Sequence, residues 1–253
     1  MTYPDDFINK IIQGDCLEVM KDIPDKSIDI ILCDLPYGTT ACKWDTIIPF
    51  EPLWEQYKRI IKDNGAIVLT ASQPFTSALV MSNIKMFKYC WIYEKSQGCN
   101  FAQCNHMPMA TYEDICVFGN FGMSKNAKMQ PIYNPQGLEN CHIVKKDKIY
   151  TEHRPSLQNR NYIRKKSNYP RQIIKFNKET GLHPTQKPVA LFEYLIKTYT
   201  NEGDLVLDNC IGSGTTAVAC INTNRNFIGI EKDEKYCEIA KARIKAIQKP
   251  LFN

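Results

Sequence analysis

No run of about 20 apolar side chains, the length that crosses a bilayer, occurs anywhere in these 253 residues, so no membrane partner is expected. The opening residues Met1-Thr2-Tyr3-Pro4-Asp5-Asp6 have neither the basic nor the apolar region of a secretory leader, and a cytoplasmic location is expected. The eleven cysteines are odd in number and include no Cys-x-x-Cys pair. Cys33, Cys90, Cys116 and Cys220 sit inside apolar runs, which argues against a disulfide framework and for reduced thiols. Cys99, Cys104 and His106 are neighbours, but their spacing is not that of a zinc site, so no metal is expected. No internal repeat or low-complexity tract is present, which excludes solenoids and arrays.

What remains is an ordinary globular composition, 43% hydrophobic and 23% charged, long enough for one large α/β domain or two small ones. Short apolar runs alternate with stretches of helical period. Strands are predicted at 28–33, 66–70, 87–93, 115–118, 205–207 and 227–231, and helices at 52–62, 74–83, 187–199, 215–222 and 234–247. Such alternation predicts a mostly parallel sheet with helices on both faces. Residues 119–182 break the pattern and read as an inserted subdomain or loops, leaving 1–118 and 183–253 for the main domain. Between Asn120 and Leu182 thirteen Lys and Arg face four acids, a net +9, which leaves −4 for the rest of a chain whose total is +5. With Tyr133, Tyr150, Tyr162 and Tyr169 interleaved, this basic segment points to nucleic acid.

Two stretches carry chemistry. The first is Cys33-Asp34-Leu35-Pro36-Tyr37-Gly38, at the end of an apolar strand. A turn accounts for Asp34, Pro36 and Gly38, but it leaves Tyr37 unexplained, and loops after parallel strands are where α/β folds keep their sites. The second is Leu205-Val206-Leu207-Asp208 running into Gly212-x-Gly214-x-x-Ala217, a strand, a glycine-rich turn and a helix start. A further strand then ends in Glu231, which can hold the hydroxyls of an adenosine ribose. A pyrophosphate would be repelled by Asp208, four residues before Gly212. A free ammonium would not, and this favours S-adenosyl-L-methionine over a nicotinamide dinucleotide.

With a third stretch, His183-Pro184-Thr185-Gln186-Lys187-Pro188, these motifs resemble the β-class amino-methylating DNA methyltransferases of restriction–modification systems and phages. Family members carry (Asp/Asn/Ser)-Pro-Pro-Tyr, then a basic recognition region, then His-Pro-Thr-x-Lys-Pro and a Phe-x-Gly-x-Gly loop. The same order holds here over roughly residues 11–118 and 183–247. Two departures are Leu35 in place of the usual Pro, and Asn209-Cys210 where Pro-Phe is common; they alter the shape of the pocket, not the class.

The resemblance implies a Rossmann-like methyltransferase fold with residues 119–182 as target-recognition region. It implies catalysis by Asp34, Pro36 and Tyr37, with Asp34 and the Pro36 carbonyl accepting the hydrogens of a flipped-out base's amino group and Tyr37 stacking on the base. Cofactor contacts are implied for Asp15 and Cys16 near the adenine, Glu231 on the ribose, and Asp208, Gly212, Ser213, Gly214, Thr215 and Thr216 around the methionine part. Asp34 borders this pocket, and His183, Thr185 and Lys187 would close it. DNA contacts are expected from Lys145, Lys146, Arg154, Arg160, Arg164, Lys165, Lys166 and Arg171. In the family, Asp or Asn at the first motif position mostly goes with adenine N6 and Ser with cytosine N4, so Asp34 points to adenine. Cytosine N4 stays open because it is a donor too, as does an RNA or protein amino group. A DNA-binding protein without turnover is a further alternative, disfavoured by the intact motif and glycine loop. The expected partner is double-stranded DNA. The resemblance also admits a homodimer and a companion restriction nuclease as partners.

Overall fold

The computed structural model describes residues 1–39, 45–146, 161–177, 179 and 186–248, with the backbone only at 145, 146, 161 and 162. It divides into one compact unit of Met1–Asn134 with Gln172–Asn253 and a second, Pro135–Arg171.

The first unit is built on a twisted eight-stranded sheet. Its strands are β1 (Lys10–Gln13), β2 (Ile28–Asp34), β3 (Ile61–Ala71), β4 (Phe87–Cys99), β5 (Ala110–Phe118), β8 (Ile173–Phe176), β9 (Leu205–Asp208) and β10 (Asn226–Glu231). They lie in the order β1-β10-β9-β2-β3-β5-β4-β8. Neighbours pair in parallel except around β5, which runs against both β3 and β4.

The central strands are apolar along both faces, as parallel strands covered on two sides must be. In β2, Ile31 and Cys33 point into one core and Ile30 and Leu32 into the other. Helices α1 (Cys16–Val19), α2 (Phe50–Ile60) and α3 (Phe75–Ser82) cover the first face, and α4 (Val189–Tyr199), α5 (Thr215–Asn222) and α6 (Glu234–Gln248) the second. Leu53, Trp54, Tyr57 and Ile60 of α2, like Leu191, Phe192, Leu195, Ile196 and Tyr199 of α4, recur at helical spacing and are buried. Each such side chain contributes about 1.5–3 kcal/mol on burial. The one polar residue inside β2, Asp29, is satisfied: Lys62 Nζ donates to its Oδ1 at 2.6 Å and the Leu205 amide to its Oδ2 at 3.0 Å.

The predicted strands and helices all occur, within a few residues except at β3, β4 and β5, which run longer. The four-residue elements β1 and α1 were not expected. The segment 119–182 divides: Phe121 joins a core, Asn134 bonds the carbonyl of Thr200 at 2.9 Å, and β8 extends the main sheet beside β4. The separate unit holds β6 (Glu139–Lys146) and β7 (Asn161–Ser167), an antiparallel ribbon with Asn140 opposite Lys166 and Ile143 opposite Arg164. No helix among the described residues is long and apolar enough to cross a membrane.

Candidate active site

From β2 the chain steps to β3 on one side, while β9, on the other, belongs to a later pass. Loops leaving the carboxyl ends of β2 and β9 therefore diverge, and a crevice opens between them. It holds about 750 Å³ and is lined by Asp15, Cys16, Asp34, Pro36, Tyr37, Lys187, Asp208, Gly212, Ser213, Thr215, Thr216 and Glu231. Asp15 follows β1, and Asp34, Asp208 and Glu231 are the last residues of β2, β9 and β10, so the sheet alone brings four carboxylates to one edge.

At one end stands Asp34. Its Oδ1 accepts from the Thr70 hydroxyl and lies 2.8 Å from the Tyr37 hydroxyl, which is itself 2.9 Å from Thr70 Oγ1. Its Oδ2 accepts from Lys187 Nζ at 2.7 Å. The Tyr37 ring stacks on Phe75 with centroids 5.1 Å apart at 26°, and the Lys187 ammonium sits 5.6 Å from its centroid. Burial, reinforced by the Asp34 charge, holds the Tyr37 phenol well above its ordinary pKa, so it stays neutral. Lys187, expected to help close the cofactor pocket, lines the crevice, and its ammonium meets Asp34 and, at 3.2 Å, Glu113. Burial works to lower the Lys187 pKa, but these two anions outweigh it and raise it.

At the other end is the glycine loop. The Ile211 amide donates to the Ile230 carbonyl at 3.0 Å and the Gly214 amide to the Ile211 carbonyl at 2.9 Å, folding the loop back over β10. Gly214 has φ +84° and caps α5, where a Cβ would lie 3.0 Å from that of Ala240. Gly212 has φ +51°, and a Cβ there would meet no protein atom within 4 Å, so this glycine faces open crevice. Glu231 accepts from the amides of Gly212 (2.8 Å) and Asp233 (2.9 Å). Asp15 caps α1 through the Leu17 amide at 3.0 Å and has Lys232 Nζ at 3.3 Å. Between the two ends Asp208, only 2% exposed, accepts from the Cys210 amide at 3.0 Å and from the Thr216 hydroxyl. Burial pushes its pKa up to about 7 despite those bonds. The Cys210 thiol interacts with those of Cys16 and Cys33, whose pKa values are raised, Cys16 mainly by that thiol and Cys33 by burial, so these thiols remain protonated.

The structure therefore brings together the Asp34 motif, the glycine loop, Asp15, Cys16, Lys187 and Glu231. His183, Thr185, Arg154 and Arg160 lie outside the described residues, as do the side chains of Lys145 and Lys146. Arg164 is half-buried and Lys165, Lys166 and Arg171 are exposed, all in the second unit. Thr70, Phe75, Glu113 and Lys95 were not expected at the site.

An α/β crevice at a strand-order reversal, with an anionic acceptor at one end and a glycine loop under carboxylates at the other, defines a Rossmann-like transferase. The chain belongs to the N6_N4_Mtase family of DNA methylases, whose model matches residues 28–242. The type II methyltransferase M.HpaI of Haemophilus parainfluenzae is 28% identical over 249 residues, covering 93% of this chain and 74% of the relative. The structure of the M1.HpyAVI–SAM complex superposes with a TM-score of 0.60 at 26% identity, covering 92% of this chain and 98% of that one. The PvuII cytosine-N4-specific DNA methyltransferase shares the fold, with a TM-score of 0.67 at 14% identity over 96% of this chain and 87% of that one.

Proposed function

We propose that this DNA methyltransferase acts at specific sites and moves a methyl group from S-adenosyl-L-methionine to N6 of an adenine flipped out of duplex DNA. The observation that carries the base assignment is the residue at the first motif position: Asp34, with Lys187 Nζ 2.7 Å from its Oδ2, offers a charge-paired carboxylate, a stronger acceptor for an amino hydrogen than a Ser hydroxyl at that position would be.

The cofactor fits the residues present. Gly212 opens onto the crevice, Asp15 and Glu231 offer carboxylates to polar edges of an adenosine, and Asp208 offers one to an ammonium. When bound, S-adenosyl-L-methionine supplies an electrophilic methyl group on a sulfonium. The chain's own contribution is alignment. An exocyclic amino nitrogen is a poor nucleophile while its lone pair is delocalised into the ring. Of the roughly four acceptor sites of the Asp34 carboxylate, the Thr70 and Tyr37 hydroxyls occupy those of Oδ1 and Lys187 one of Oδ2, so a site on Oδ2 is left. With the Pro36 carbonyl it would take the two amino hydrogens and turn the lone pair out of the ring plane. Tyr37, whose ring is braced by Phe75, would bear on the base once its hydroxyl yields Asp34. Residues 135–171 are proposed as the recognition unit, since a two-stranded ribbon is one of the shapes a major groove admits. A cytoplasmic location accompanies this reading.

The raised Asp208 pKa gives a signed prediction. Free protein holds a proton on Asp208 up to about pH 7, whereas a ligand ammonium favours the carboxylate. Cofactor affinity should therefore fall as pH drops below 7, approaching tenfold per unit, with proton release on binding near pH 6. Titration calorimetry in two buffers of different ionisation enthalpy reads both, and Asp208→Asn should remove the pH dependence. An affinity constant from pH 5 to 8 would refute the role.

Mass analysis of nucleosides from methylated DNA tests the base. N6-methyladenine is the expected product. N4-methylcytosine as the main product would reverse the base and leave the transferase standing.

A further inference from the structure

We propose that Glu113, with Lys95 behind it, is a positioning residue for methyl transfer, acting through Lys187 to hold the ammonium on Asp34. The proposal rests on the methyl-transfer reading above and adds two side chains to its machinery. Four charges alternate in a chain of contacts: Asp34 on β2, Lys187 just ahead of α4, Glu113 on β5 and Lys95 on the adjacent β4, with β3 between β2 and β5. The successive separations are 2.7, 3.2 and 2.7 Å. Three members are enclosed, with Lys187 at 7%, Glu113 at 13% and Lys95 at 14% side-chain exposure, while Asp34 opens to the crevice at 25%. Together the four are neutral. Enclosed charges keep their ionisation only when balanced, so each depends on the next.

Glu113 lines the crevice as well, and its Oε2 makes no well-aligned hydrogen bond although Lys187 is 3.2 Å away. It therefore holds Lys187 by charge rather than by a tight bond, which leaves the ammonium aimed at Asp34. Besides Asp34 and Glu113, the groups around Lys187 among the described residues are the Tyr37 ring and the Tyr93 phenol on β4. Neither is charged near neutral pH. With Glu113 neutralised, Lys187 keeps one anion instead of two and still feels Lys95, so burial gains on it and it loses its proton more easily. Asp34 then faces a neutral amine at high pH and is no longer tethered.

The test uses the full chain, duplex DNA and saturating radiolabelled S-adenosyl-L-methionine in single turnovers across pH. Glu113→Gln should lower the transfer rate on the order of 10- to 100-fold at neutral pH, since small misplacements at a reacting centre cost this much. It should also show an alkaline loss that begins at a lower pH than the parent's, because Lys187 has lost one of its two anions. Cofactor affinity should stay close to the parent's, because Glu113 meets Lys187 at the Asp34 end of the crevice and not the glycine loop. Lys95→Met removes a cation instead of an anion, so it must show no such alkaline loss; if Glu113→Gln does not fold, Glu113→Asp, which keeps the charge but draws it back from Lys187, must lower the transfer rate in its place, and a rate equal to the parent's would overturn the role. A Glu113→Gln rate equal to the parent's, or an alkaline limb that moves alike in both variants, would overturn the positioning role. A parent chain that transfers no methyl group would overturn the underlying reading along with it, so the two failures are distinguishable.

Discussion

Asp34→Ala is expected to slow methyl transfer by at least about 10³-fold while leaving affinity for duplex DNA within a few fold. Removing one preorganised electrostatic contact at a reacting centre typically costs 10²–10³. Here the same change also releases Lys187, Thr70 and Tyr37, all of which converge on this carboxylate. Misorientation therefore adds to the lost acceptor. Asp34→Asn separates the two contributions. It keeps the shape and one acceptor but places an amide donor against Lys187 or the two hydroxyls, and should fall between the parent and Asp34→Ala. Single-turnover rates with labelled cofactor measure both. A loss below tenfold for the alanine variant would remove Asp34 from the chemistry.

The second large effect concerns salt. If the Pro135–Arg171 unit neutralises phosphates, the logarithm of DNA affinity should fall linearly with the logarithm of salt, with a slope of about 0.9 per phosphate contact. For the six to ten contacts typical of such complexes that is roughly 10³–10⁵ in affinity between 50 and 200 mM. Lys165 and Lys166 are exposed on β7, with Arg164 half-buried beside them. Neutralising the three together should flatten the slope by up to about three contacts' worth. Fluorescence anisotropy with a labelled duplex gives the slope directly. A parent slope near zero would remove the phosphate-binding role.

The sheet's centre was legible because parallel strands buried on both faces are apolar runs, and β2, β9 and β10 each end in the acid their sequences display. The glycine loop was legible because glycine takes the positive φ values of Gly212 and Gly214 without the steric cost other residues meet there. β1 escaped notice because two buried isoleucines between polar residues do not make a period. The division of 119–182 was hidden by its charge, which runs through both the separate ribbon and β8, a strand of the main sheet. Thr70, Glu113 and Lys95 escaped for another reason. Their meeting with Asp34 and Lys187 is decided by register, Asp34 opposite Thr70 and Tyr93 opposite Glu113, and no local pattern encodes a register between strands 36 or 20 residues apart. Lys187 was visible as a motif residue, but its partner lies 153 residues away.

One incubation tests the central claim most directly: the chain with S-adenosyl-L-methionine labelled on the methyl group, offered separate pools of duplex DNA, RNA and protein. Label in the DNA pool alone, lost in Asp34→Ala, is the result this structure predicts. Label in RNA or protein instead of DNA, or an undiminished transfer by Asp34→Ala, would contradict it.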